Sequence, residues 1–251
     1  AASDVYKRQE KYYRQLKEEF YSLSGLPVIT PANAMEFIDR LSKTIRGIKP
    51  HFQEVMSGTA RLTSVVFREG TRVMPPLDYR YGWDLSCLHH QRLASNMRKT
   101  FGLPVVYYSP TCRPWSIASN SQDPDVRWHE RQLQRPTLEW LRDEFNDAVK
   151  RGNDCMVESP LSSAMWQQSP VSECFTKDGP AAKLQVEHQC RHGAKIGTGE
   201  KVMKPTGNLA TWTLRHTAVR CQCSKPHGIL QDSVNGVKRT HLAAIYTYHR
   251  C

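Results

Sequence analysis

Beyond Pro50 the chain repeats one pattern: a short apolar run, a tight turn, then an amphipathic stretch. Phe52 to Met56 reads as a strand, Ala60 to Glu69 as a helix closed by Gly70, and Arg72 to Leu77 as a second strand. Val105 to Tyr108 is β-branched and aromatic and reads as a third. Leu138, Leu141, Phe145, Ala148 and Val149 line one face of a helix that Gly152 ends, and Cys155 to Val157 forms the next strand core. Strands that alternate with helices imply an α/β fold with a mostly parallel sheet. From about Leu184 the chain becomes richer in strands: Leu184–His188, Ala210–Leu214 and Ala243–Tyr248.

Upstream, apolar residues at Tyr6, Tyr13, Leu16, Phe20 and Leu23 follow a helical period, and Gly25 and Pro27 end it. Met35, Ile38, Leu41 and Ile45 give a second helix from Ala32 to about Ile45. Residues 10–49 are therefore expected as a helical N-terminal extension. The run Ser3-Asp-Val-Tyr-Lys-Arg-Gln9 resembles a translated sequencing adapter, so residues 1–9 are set aside and the chain is expected to be a fragment. Residues 50–251 are expected as a single domain.

The balance of 35 Lys+Arg against 24 Asp+Glu gives a formal charge of +11, which suggests a polyanionic partner. No apolar run approaches the roughly 18–20 residues of a membrane span, and the N-terminus has no signal-peptide core. An intracellular protein, nuclear or cytoplasmic, is expected. The eight cysteines are then expected to be mostly reduced.

In open α/β sheets, sites form beyond the carboxyl ends of the strands, and four segments lie there. Glu54-Val-Met56-Ser57-Gly58-Thr59-Ala60 is a strand, a small-residue turn and a helix start, suited to close approach of a nucleotide-like cofactor. Asp78, after the second strand, is placed to bind ribose hydroxyls, and Asp84 to serve the adenine or amino end, or simply to cap a helix. In Ser109-Pro110-Thr-Cys112-Arg113-Pro114-Trp115-Ser116, two prolines fix a thiol next to Arg113, a cation that would favour the thiolate. Cys155-Met-Val-Glu158-Ser-Pro160 delivers a carboxylate at a strand end, where it can hydrogen-bond a heteroaromatic ring or act as an acid.

In this order the four segments resemble the motifs of cytosine-5 methyltransferases. Met56-Ser-Gly58-Thr-Ala60 is similar to that family's phenylalanine–glycine–glycine turn, with Met for Phe and Ala for the last Gly. Asp78 and Asp84 match its two acidic positions. Ser109-Pro-Thr-Cys112 is similar to its proline–proline–cysteine loop, with Thr111 for the second proline. Val157-Glu158-Ser-Pro160 is similar to its glutamate–asparagine–valine strand end. Gln189-Cys-Arg191-His-Gly193, continuing to Lys204-Pro-Thr206-Gly-Asn208, resembles methyltransferase-like segments in mobile-element polyproteins of protists.

The resemblance spans about residues 51–216 and implies a Rossmann-like methyltransferase fold within a larger polyprotein. It implies S-adenosylmethionine bound by Met56, Ser57, Gly58, Thr59, Asp78, Asp84 and Pro110. Cys112 would be the nucleophile on a cytosine flipped out of its stack, and Glu158 would hold the base. Arg113, Trp115, Ser116, Arg191 and Lys204 would contact nucleic acid, DNA rather than RNA, with Trp115 available to stack on a base. Gly58, Asp78 and Asp84 should then line one cavity that reaches Cys112 and Glu158. Sequence-reading methyltransferases usually carry a sizeable recognition region late in the chain, and few residues follow Leu214. The alternative is therefore a catalytically degenerate module of the same fold that binds nucleic acid within a retrotransposon polyprotein.

No metal is assigned. Cys221-Gln-Cys223-Ser-Lys-Pro-His227 brings three ligand types close together, but C-x-C is tight and no fourth ligand is evident beyond His216 or Cys190. A packed loop of reduced thiols is the preferred reading. His89, His90 and His241 read as surface or packing residues.

Overall fold

In the computed structural model the alternating pattern after Pro50 folds as a mixed five-stranded sheet. The structure describes residues 31–44, 47, 49–58, 60–195, 200–215 and 218–228, together with Lys11 and the pairs 233–234 and 237–238. Apart from Lys11, the first expected helix lies outside the described residues. So do the expected strand at Ala243–Tyr248, Thr59, His216 and His241.

The elements are α1 (Pro31–Thr44), β1 (Phe52–Val55), α2 (Arg61–Arg68), α3 (Leu88–Phe101), β2 (Val105–Tyr108), α4 (Pro124–Arg151), β3 (Asp154–Pro160), β4 (Gln185–His188) and β5 (Pro205–Ala210). The sheet order is β1-β2-β3-β5-β4. β1, β2 and β3 are parallel, with Val55 opposite Tyr108 and Tyr108 opposite Val157. β5 runs antiparallel to both β3 and β4.

The expected strand at Arg72 to Leu77 lies against the outer edge of β1 but makes only two parallel bridges, Phe52 to Val73 and Val55 to Leu77. Pro75 and Pro76 have no N–H to give, so the ladder is interrupted. The Gln53 side chain compensates by donating to the Pro75 carbonyl at 3.1 Å. The chain thus leaves β1 through α2 to one side and returns through α3 to β2 on the other. The strand order reverses at β1, and in open α/β sheets such a switch point opens a crevice beyond the strand ends.

Alternation along the strands divides the core. Phe52, Val73 and Tyr107 pack with Leu62, Val66 and Phe67 of α2. Val55, Val106, Tyr108, Cys155 and Val157 belong to the larger core with α3, α4 and Leu41 of α1. The 28-residue α4, about 42 Å long at 1.5 Å per residue, contains Pro136. Before Pro136 it exposes Trp128 and Leu133; after it, Leu138, Leu141, Phe145 and Ala148 are buried.

Polar groups buried between α3 and α4 are paired. Arg98 forms ion pairs with Glu144 and Asp147, both at 2.6 Å, and Glu144 also accepts from the Ser95 hydroxyl at 2.8 Å. The Trp140 indole N–H donates to Ser95 at 2.9 Å. The last strand corrects an expectation: β5 covers Pro205–Ala210, and the chain bends at Thr211 and Trp212 instead of extending to Leu214.

Candidate active site

The turn after β1 is strained in the sense that marks a built loop. Met56, Gly58 and Ala60 all have positive φ, at 58°, 55° and 53°, and the left-handed region costs a non-glycine residue about 1–2 kcal/mol. A Cβ at Gly58 would meet no protein atom within 4 Å, so glycine serves the backbone conformation here and leaves open space in front of it. The turn is fixed from two sides. The Gly58 N–H donates to Asp78 Oδ2 at 2.8 Å. Behind it, buried Glu54 accepts from the backbone N–H and hydroxyl of Thr63 at 2.8 and 2.7 Å, tying α2 to β1.

Asp78 also caps the single helical turn 79–81 by accepting from the Arg80 N–H at 2.9 Å. Asp84 does not cap α3, whose N-cap is Cys87. Its carboxylate instead accepts from the Ser86 N–H and hydroxyl, and its own N–H donates to His90 Nδ1 at 2.8 Å. His90, buried with its ring edge-on to Trp83, is thus the post that holds this loop. Burial depresses its pKa, with Asp84 opposing.

Gly58, Asp78 and Asp84 line one cavity of about 550 Å³, together with Met56, Arg80, Trp83, Ser109 and Thr111. That volume is in the usual range for a small-molecule site. Leu133, Gln134 and Thr137 of α4 close its far wall; the sequence pattern had marked only the buried half of that helix.

Ser109 joins this cavity to the next group. Its N–H bonds the Val55 carbonyl at 3.1 Å, and its hydroxyl donates to Glu158 Oε2 at 3.0 Å. Glu158 is buried, opposite Asn208 of β5. The half-buried Cys112 follows one residue beyond Thr111, and neither Cys112 nor Glu158 is itself in the cavity wall. Burial pushes the Cys112 thiol above the ordinary thiol range; Lys204 opposes that shift and Glu158 adds to it.

The cation whose charge opposes the rise at the thiol is Lys204, from the chain entering β5. Arg113, expected in that role, is exposed and paired with Glu130 at 2.9 Å. The interaction is long-range in sequence, so the motif could not show it.

Trp115 differs from its expectation. It is 5% exposed, with the Arg131 guanidinium 5.0 Å from its ring centroid, so its face is covered. It also lines a second cavity of about 630 Å³ shared with Ser116 and Trp166. Pro110 is buried within the Ser109–Ser116 loop, and Ser57 is buried in the β1 turn. Arg191 is exposed, and so are Lys195, Lys201, Arg215 and Arg220 in the same stretch of chain.

In the Cys221 loop the thiols are free, and Cys190 rather than the undescribed His216 is the residue found beside them. Cys190 closes on Cys221, Cys223 and His227 to give a four-residue cluster of metal-ligand type. Comparison with family models, with curated proteins and with solved structures finds no match for the chain.

Proposed function

We propose that this chain is a methyltransferase domain of Rossmann-like fold that binds S-adenosylmethionine and methylates cytosine in nucleic acid through Cys112. The observation that carries the reading is the single cavity at the β1 switch point. It brings together Gly58, Asp78, Asp84 and the loop of Cys112, although these lie far apart in sequence. No membrane partner is invoked: among the described residues no helix is long and apolar enough to cross a membrane.

The residues present fit the cofactor. The open space before Gly58 accommodates the methionine part, and the carboxylates of Asp78 and Asp84 keep free lone pairs for ribose hydroxyls and an amino group. Bound there, S-adenosylmethionine supplies an electrophilic methyl group. The chain's own part begins with the Cys112 sulfur, which forms a bond to carbon 6 of the base and shifts the electron pair to carbon 5. Glu158, oriented by Ser109, holds the base edge and its proton. Carbon 5 takes the methyl group, leaving S-adenosylhomocysteine, and gives its proton to solvent. The electron pair of that C–H bond re-forms the ring double bond, the sulfur–carbon 6 bond breaks to release the thiolate, and the ring proton returns to Glu158. Lys204 stabilises that thiolate at both ends of the cycle.

That neither Cys112 nor Glu158 lines the cavity favours a second reading, a binding module of this fold that no longer catalyses. Calorimetric titration with S-adenosylmethionine, followed by methyl transfer to DNA and RNA with Cys112→Ser as control, separates the two. Binding plus transfer lost in Cys112→Ser supports the enzyme; nucleic-acid binding without cofactor binding supports the module.

A further inference from the structure

We infer that Cys190, Cys221, Cys223 and His227 form a closed, structural zinc site that clamps the 218–228 segment to the β4–β5 end of the sheet. The inference is independent of methyl transfer. One ligand atom from each of the four residues lies within 4.8 Å of every other. Cys221 Sγ is 3.4 Å from His227 Nε2. A tetrahedral site with Zn–S of about 2.3 Å and Zn–N of about 2.0–2.1 Å requires S···N edges near 3.6 Å and S···S edges near 3.8 Å, so small side-chain adjustments complete it. Three thiolates and an imidazole select zinc among the common divalent ions.

The surroundings are those of ligands already held in place. The Cys223 N–H points at Cys221 Sγ at 3.3 Å, which stabilises a thiolate there. The Cys221 N–H donates to His188 Nδ1 at 3.0 Å, fixing the segment to the end of β4. Backbone bonds run from His188 to the Val219 carbonyl and from Gly228 to the Lys201 carbonyl, both at 2.9 Å.

A second observation points the same way. None of residues 218–228 is buried. The segment therefore gains little from apolar burial, and a cross-link of this kind supplies the missing stabilisation. Cys190 sits in the turn after β4, and the neighbouring Gln189 N–H bonds the Lys204 carbonyl at 3.2 Å. The clamp thus backs the stretch of chain that carries Lys204.

The test is metal content of the whole chain, purified under reducing conditions without chelator and measured by plasma mass spectrometry. About one zinc per chain is expected, falling at least about tenfold in Cys223→Ser and in Cys190→Ser. It should be unchanged in Cys87→Ser, a thiol outside the cluster. Cobalt titration of the wild type needs no variant to fold, and is expected to give the intense visible bands of a tetrahedral thiolate site. Two results would overturn the inference: less than about a tenth of an equivalent of zinc with no such cobalt spectrum, or a disulfide between Cys190 and Cys221 or Cys223 in the reduced preparation.

Discussion

At Cys112 three influences compete: burial raises the thiol pKa, Glu158 raises it further, and Lys204 lowers it. The thiolate is the reactive form, so alkylation of Cys112 by iodoacetamide should be slow at neutral pH and rise up to and beyond the ordinary thiol pKa. Lys204→Ala should move that profile to higher pH and Glu158→Gln to lower pH, read by mass spectrometry of the Cys112 peptide. Asp78 belongs to the same scale. Asp78→Ala removes the acceptor of the Gly58 N–H and the cap of turn 79–81. Loss of such a capping interaction costs roughly 0.5–2 kcal/mol, and the variant should bind S-adenosylmethionine at least about tenfold more weakly by calorimetry, since tenfold is about 1.4 kcal/mol.

Among the elements, α3 and α4 depend on a buried charge cluster. Arg98→Met leaves Glu144, 6% exposed, without its cation. Removing one partner of a buried pair costs about 3–5 kcal/mol, which chemical denaturation should register as a lower midpoint at unchanged slope. His90 acts on the cavity loop in a pH-dependent way. Its folded pKa lies below the ordinary value, so the stability it contributes as a neutral ring is complete above about pH 6.5 and is lost as pH falls through the lower folded value. The drop in Tm between about pH 7 and pH 5 should therefore be smaller in His90→Asn than in wild type.

These same elements show what the sequence revealed. β1, α2, β2 and β3 were legible because their apolar residues keep the period of their structure. Helix α3 was not, because Gln91, Arg98 and His90 occupy buried positions and break its apolar stripe. β5 was misplaced for a related reason. Pro205, Gly207 and Asn208 have poor strand propensity, yet the strand lies where Trp166 and Leu184 pack within 3.2–3.5 Å of a Gly207 Cβ position. The influence of Lys204 on Cys112 and the grouping of Cys190 with Cys221 are tertiary: the sequence left His216 and Cys190 as alternatives for a fourth ligand, and the fold brings in Cys190.

For the whole molecule, the excess positive charge finds a location. Arg191, Lys195, Lys201, Arg215 and Arg220 are exposed in the later part of the chain, which also carries Lys204. If these side chains meet a phosphate backbone, the logarithm of affinity falls linearly with that of salt, by about 0.9 per phosphate contact on duplex DNA. Arg191→Ala should reduce that slope by about one and weaken binding similarly across sequences, as fluorescence anisotropy over a salt series would show.

Attack of Cys112 on a cytosine held beside the Gly58–Asp78–Asp84 cavity would leave a covalent adduct that can be trapped. An oligonucleotide with 5-fluorocytosine blocks the last step, because fluorine cannot leave as a proton does. The expected product is a denaturation-resistant protein–oligonucleotide adduct that requires S-adenosylmethionine, maps to Cys112 and is absent in Cys112→Ser. A chain that binds both the oligonucleotide and the cofactor yet forms no adduct, or forms one at another residue, would contradict it.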